Sequence, residues 1–277
     1  MYLDKKMDLN SKEIQLQYEG FVSTPLLWKR DIFWGLKQFE ILNLKSNSFE
    51  GNIRKNLPLG KRVEHFVECE LKNLNSISVV AKNCQIQNKT LTLGELDFII
   101  KKEKKPIHLE VAYKFYLFEA CFGDKEIEHW IGPNRKDNLV KKLTKLKEKQ
   151  LPILHSIYTK PLLDKLGIQS QNIEQFVHFK AQLFIPLQLK QTSFELINNE
   201  CIIGFYIRIN ELNQFSTCKF YIPTKTNWLQ AIQIQTKWIS FDLFSENISK
   251  ILDNKTSPLC WLKCPNGTTK KFFIVWW

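Results

Sequence analysis

The order of secondary-structure signals in this sequence predicts an α/β fold built on a mixed sheet of α+β character. Three observations carry that prediction. Residues 57–73 place apolar side chains at helical spacing, residues 76–118 hold three runs rich in β-branched and aromatic types, and a second helical run near 135–150 is followed by a strand at 176–187. With 44% hydrophobic and 13% aromatic residues, the 277-residue chain has ample material for a core, which excludes intrinsic disorder. No apolar run approaches the roughly 18 residues of a membrane span. The opening MYLDKKMDLN lacks the apolar stretch of a secretory signal, so a soluble, cytoplasmic protein is expected.

Taken in order, residues 1–55 read as a helical extension. Leu26, Leu27, Ile32, Phe33, Leu36 and Phe39 fall near a 3.6-residue period within a helix expected over 12–45. Residues 56–190 form the expected core. Its first helix, opened by Pro58 and Gly60, lines up Val63, Phe66, Val67, Leu71 and Leu74 on one face. The strands ISVVA, TLTLGELDFII and IHLEVAYKFYLF follow, the last two joined by the charged turn KKEKKP. Asn134 is expected to cap a helix over 135–150 with Leu139, Leu143 and Leu146 on one face, closed by Pro152. Residues 191–277 read as a β-rich lobe packed on the core, with the strands CIIGFYIRI, CKFYIP, PLCWLK and KKFFIVWW and a helix near 243–254.

A formal charge of +12 suggests a polyanion partner, yet only five of the 40 basic residues are Arg (Arg30, Arg54, Arg62, Arg135, Arg208), the type favoured for bidentate recognition. The seven cysteines are scattered without C-x-x-C, and the one close pair, Cys260 and Cys264, has no His nearby; they read as small buried hydrophobes in a reducing compartment. The five histidines form no metal motif, no Gly-rich phosphate loop is present, and there is no G-x-S-x-G.

The chemistry concentrates in LGELDFII and IHLEVAYKFYL. Alternate strand residues share a face, which groups Glu95, Asp97 and Ile99 on one strand and His108, Glu110, Ala112 and Lys114 on the other. A hairpin centred between Glu103 and Lys104 sets Asp97 directly opposite Glu110. Like charges so placed, about 5 Å apart at Cβ, repel one another. A divalent cation that prefers oxygen, Mg²⁺ or Mn²⁺, is the natural counter-charge. Leu96, Phe98, Leu109 and Val111 are expected on the opposite face. The plainer alternative is a solvated face whose acids pair with local Lys, and a one-residue slip would turn either carboxylate away.

An Asp and a Glu on adjacent strands, with Lys nearby and a Glu on the preceding helix, resemble the PD-(D/E)xK nuclease superfamily, whose core runs α-β-β-β-α-β. More narrowly, the chain resembles bacterial domain-of-unknown-function family 1853. The residues that carry this are Arg30-Asp31 with Trp34, Leu59-Gly60 with Glu64, Gly94-Glu95-Leu96-Asp97-Phe98, and His108 through Leu117. Gly132-Pro133-Asn134-Arg135, Asp137-Asn138-Leu139 and Gln150-Leu151 complete the set. The resemblance implies that Asp97 and Glu110 hold the metal, assisted by Glu64, and that a lysine polarises the attacking water. Glu70 lies nearer the middle of its helix's apolar face than Glu64 does. The superfamily's lysine position is occupied by Ala112; Lys114 lies two residues further along the same face, and Lys142 on the next helix is the other candidate. Gln150 is similar to a Gln found in exonuclease-like branches of that superfamily.

Arg135, Asn138, Lys142, Lys145 and Lys149 fall on one stripe of the 135–150 helix, suited either to sugar-phosphate contact or to plain solvation. The C-terminal tryptophans could stack bases but are expected mostly in the core. Two functions follow as expectations. One is a Mg²⁺- or Mn²⁺-dependent nuclease acting on DNA or RNA through Asp97, Glu110, Glu64 and Lys114. The other is a nuclease-like fold that binds nucleic acid or a protein without catalysis.

Overall fold

The computed structural model describes residues 9–41, 48–189 and 193–277. Helix α1 (Leu9–Ser23) leads into a short hairpin of β1 (Ile32–Phe33) and β2 (Leu36–Lys37), then α2 (Leu59–Lys72) and three long strands, β3 (Ile77–Asn88), β4 (Leu91–Lys102) and β5 (Lys105–Phe118). After β6 (Trp130–Ile131) come α3 (Leu139–Lys145), α4 (Lys160–Lys165) and β7 (Glu174–Pro186). The chain finishes with β8 (Ile202–Arg208), β9 (Lys219–Tyr221), α5 (Phe241–Asp253), β10 (Leu259–Lys263) and β11 (Thr269–Val275). The α/β class expected from the sequence is therefore what the chain adopts.

Among the described residues, one nine-stranded mixed sheet runs β3-β4-β5-β7-β8-β11-β10-β9, with β6 added beside β5. The β3-β4-β5 meander is antiparallel, whereas β5, β7, β8 and β11 are mutually parallel. The C-terminal strands thus continue the same sheet as the central ones. Helices α1 and α2 cover one face through Tyr18, Phe21, Phe66 and Val67 against Phe98, Leu109 and Tyr113. On the other face α3 packs Leu139 and Leu143 against Ala112, Tyr116 and Phe179, and α5 packs Phe244 and Ile248 against Phe272 and Ile274. None of the helices formed by the described residues is long and apolar enough to cross a membrane.

The helix expected over 12–45 stops at Ser23. Pro25 blocks its continuation, and Leu27 and Phe39 instead send their amides to the Phe179 and Val177 carbonyls of β7, each at 2.8 Å. Of the apolar residues whose spacing suggested a helix, Leu27, Phe33, Leu36 and Phe39 are buried in extended or hairpin segments, Leu26 is half-buried and Ile32 is exposed. The last four residues of that expected helix lie outside the described residues.

The helix expected over 135–150 begins later, at Leu139. Its cap is Asn138, whose side chain accepts from the Lys141 amide at 2.7 Å. Arg135 sits in the preceding turn at φ 57°, and Asn134 instead accepts from the Ser257 amide at 2.8 Å. Beyond Lys145 the α-helical pattern gives way to a π-helical turn over Leu146–Gln150, with Leu151 donating back to Leu146 at 2.9 Å.

Candidate functional site

The turn between β4 and β5 sets the register of the site. Glu103 and Lys104 adopt φ values of 51° and 71°, the left-handed pair that closes a two-residue hairpin. Pairing then runs through Lys102↔Lys105 to Ile99↔His108 and Phe98↔Leu109, the register expected from the sequence. At the next step, Asp97 and Glu110, side chains take over from the ladder. Val111 donates its amide to Asp97 Oδ2 at 2.9 Å, and the Asp97 amide points at Glu110 Oε1 at 3.4 Å. Both carboxylates are buried, Glu110 completely and Asp97 to within 8%.

Strand β5 alternates as expected, with His108, Glu110, Ala112 and Lys114 opposite Leu109, Val111 and Tyr113. Strand β4 does not. Glu95 meets Lys61 of α2 and Phe98 packs in the α2 layer, while Leu96 and Ile99 share the cluster beside α4. The alternation slips at Asp97, where the ladder opens, so Leu96 and Phe98 part to opposite faces and Glu95 leaves the face first assigned to it.

Besides the Asp97 amide, two chains of hydrogen bonds converge on Glu110. His108 Nε2 meets Glu110 Oε1 at 2.9 Å. Gln175 of β7 reaches His108 Nδ1 at 3.0 Å and the Leu151 carbonyl at 2.6 Å through its Nε2. A carbonyl only accepts, so the Gln175 nitrogen must face Leu151 and donate to Nδ1; His108 is then neutral and donates from Nε2. On the other carboxylate oxygen, Gln150 Nε2 donates to Glu110 Oε2 at 2.6 Å, while Gln150 Oε1 accepts from Lys142 Nζ at 2.9 Å. The π-helical turn is what swings Gln150 under Glu110, a common use of such turns.

The electrostatics follow from burial. Asp97 is pushed up to about 8, first by desolvation and then by the Glu110 charge, with the Val111 N–H working in the opposite sense. Lys142 is brought down to about 8, first by burial and then by Lys114, while Glu110 and Asp97 act to keep it charged. Burial also raises Glu64 against the pull of Lys61, and both Asp97 and Glu110 lie within its electrostatic reach. Among the described residues no group of three His, Cys, Asp or Glu side chains is arranged around an ion position. A hard ion such as Mg²⁺ usually takes one or two carboxylates and fills its shell with water and phosphate oxygens, and Asp97 and Glu110 are the two that could hold one.

The remaining residues singled out from the sequence are distributed unevenly. Glu64 is half-buried beside the pair, but Lys61 holds it at 2.8 Å and holds Glu95 at 2.7 Å. Glu70 is occupied elsewhere, accepting from the Tyr18 hydroxyl in the α1–α2 layer. Lys114 is engaged by Asp137 at 2.5 Å, whereas Lys142 reaches the carboxylates through Gln150. Lys145 and Lys149 are exposed. Arg135 is not on their helix at all: its guanidinium lies 3.8 Å from the Trp277 ring centre and pairs with Glu119 at 3.9 Å. Of the C-terminal tryptophans, Trp228 and Trp261 are buried, and Trp238, Trp276 and Trp277 are half-buried. Gln175 was not foreseen, since a neutral amide in a strand carries no signal of its partner.

Beside the pair lies a cleft of about 740 Å³ between the first turn of α2, the second half of β5, the loop Gly132–Asp137 and the segment Lys225–Leu229. Lys55, Lys114, Lys136, Lys142 and Lys225 line it against one acid, Asp137.

The fold and site define a mixed α/β protein with a buried carboxylate pair next to a lysine-lined cleft, whose lining includes Lys142 but neither carboxylate. Residues 38–275 match the model of the family described as Domain of unknown function (DUF1853), and the chain belongs to that family. No curated protein and no solved structure matches it.

Proposed function

We propose that the protein is a Mg²⁺- or Mn²⁺-dependent nuclease that hydrolyses phosphodiester bonds of DNA or RNA on a PD-(D/E)xK-like core. The observation that carries this reading is the Asp97–Glu110 pair at the point where the β4–β5 ladder opens, joined through Gln150 to Lys142 at the edge of the basic cleft. Asp97 and Glu110 are the residues that would hold the cation, with Glu64 assisting once Lys61 releases it. When bound, the cation would acidify water and offset charge on the scissile phosphate. His108 and Gln175 orient the Glu110 carboxylate. Lys142, brought down by burial, is suited to exchange a proton with the attacking water near neutral pH. It takes the part that the sequence offered to Lys114, which is left to contact phosphate. The cleft lysines and the positive end of α2 favour a sugar-phosphate backbone, and exposed Lys145 and Lys149 extend that surface.

The test is cleavage of single- and double-stranded DNA and RNA with and without Mg²⁺ or Mn²⁺. Metal-dependent cleavage lost in Asp97→Ala and Glu110→Ala is the expected result, and cleavage that survives both sinks the reading. The alternative, binding without catalysis, draws on the capture of Lys114 by Asp137. It predicts salt-sensitive nucleic-acid binding, weakened by Lys142→Glu with Lys145→Glu, and no turnover with any metal.

A further inference from the structure

The outermost ladder of the sheet sets two thiols face to face. Strand β9 pairs with β10 through Trp261↔Tyr221, Leu262↔Phe220 and Lys263↔Lys219. One step further in the same register, Cys264 stands opposite Cys218. Cys218, Phe220, Cys260, Leu262 and Cys264 all pack into the cluster beneath α5, so both thiols lie on one face of the sheet. The Cys264 amide donates to Thr268 in the β10–β11 turn at 2.8 Å and the Cys218 amide donates to Phe215 at 2.9 Å, so neither is used between β9 and β10. Opposed residues at a position without ladder hydrogen bonds have Cα atoms about 4.5 Å apart, within the roughly 4.4–6.8 Å that disulfides span. Both cysteines are free; Cys264 is half-buried and Cys218 is buried. Desolvation, followed by the adjacent Cys264 sulfur, raises the Cys218 thiol above its usual range.

We infer that Cys218 and Cys264 are a modification site, a dithiol pair that a small disulfide such as glutathione disulfide oxidises to an intramolecular cross-strand bond. The more accessible Cys264 thiolate attacks one sulfur of glutathione disulfide, forming a mixed disulfide and releasing one glutathione. The Cys218 thiolate then attacks the Cys264 sulfur and expels the second. Two protein thiols are oxidised, one glutathione disulfide is reduced to two glutathiones, and the two thiol protons leave on them. The bond would fasten the three-residue edge strand β9, which leads directly into the Lys225–Leu229 wall of the cleft.

The full chain is equilibrated with mixtures of reduced glutathione and glutathione disulfide, quenched in acid, alkylated, digested and read by mass spectrometry. A peptide joining Cys218 to Cys264 is expected, with a thermal midpoint about 5 °C above that of the reduced protein. Replacing exposed Cys121 by Ser leaves the bond intact, whereas Cys218→Ser and Cys264→Ser each remove both the linked peptide and the rise. The inference is overturned if both thiols of the wild-type chain stay open to alkylation, if oxidation stops at a glutathione adduct on Cys264, or if the bond runs through another cysteine such as Cys260.

Discussion

One face of the sheet is built in two ways along its length. Beneath α5, Phe205, Phe220, Phe244, Phe272 and Ile274 fill the interior, with the Phe220 and Phe244 rings stacked at 4.1 Å. Further along the same face, β4, β5 and β7 bring together Asp97, His108, Glu110, Gln175 and, from the helical segment above, Gln150. The first region gains stability from area removed from water. The second gives some up, because two carboxylates lose hydration side by side and are compensated only by hydrogen bonds. On the reading proposed above, the acids occupy places where phenylalanine could be buried because of the cation they would bind.

The largest effects should separate the two regions. Asp97→Ala or Glu110→Ala should lower metal-dependent cleavage by about 10³-fold or more, with a thermal midpoint equal to or above that of the parent. Phe272→Ala should do the reverse, costing about 3–5 kcal/mol in denaturant unfolding and leaving the rate per folded molecule unchanged. If Phe272→Ala abolishes cleavage while still folded, the division between the regions is wrong.

Next in size is the choice of lysine. Lys142→Met and Gln150→Leu are each expected to reduce kcat by about 10²-fold, and Lys114→Met mainly to raise KM. Equal losses of kcat from Lys142→Met and Lys114→Met would place both amines at the reacting centre.

Titration sharpens the comparison further. Asp97 is held up at about 8, so on the proposed reading a proton would compete with the cation below that pH. Mn²⁺ affinity measured by calorimetry should climb by up to about tenfold per pH unit toward pH 8 and then level. The metal-free protein should behave oppositely. A carboxyl whose folded value exceeds its unfolded one favours folding at low pH, so this contribution falls away as pH rises from about 4 to about 8. Asp97→Asn should flatten that decline. The smallest effect is expected from the hydrogen bonds behind Glu110: His108→Ala or Gln175→Leu should weaken Mn²⁺ binding by about tenfold without moving its pH dependence.

What the sequence made legible was local. The β4–β5 register followed from a two-residue turn and strand alternation, both decided by neighbouring residues, so the facing of Asp97 and Glu110 was readable. The slip at Asp97 was not, because it comes from carboxylates replacing main-chain partners. Residues 24–41 were misread because apolar spacing alone cannot separate a helix from segments buried against a distant strand; Pro25 was the available warning. The late start of α3 turned on Arg135 adopting a left-handed conformation, which no pattern of leucines reports. Lys142 was in view as a stripe residue and as an alternative to Lys114, but its link to Glu110 was not, since that depends on where Gln150 lands.

That last dependence makes the site a matter of counting as much as of chemistry. A π-helical turn holds one more residue than the α-helical turn it replaces. If this stretch relaxed to α-helix with all its residues kept, Gln150 would turn away from Glu110 around the helix axis. Asp97, Glu110, Lys142 and Gln150 would all remain in the chain, yet the bridge from lysine to carboxylate would be severed. In this chain the spacing between Lys142 and Gln150 therefore matters to the bridge as much as the presence of either residue.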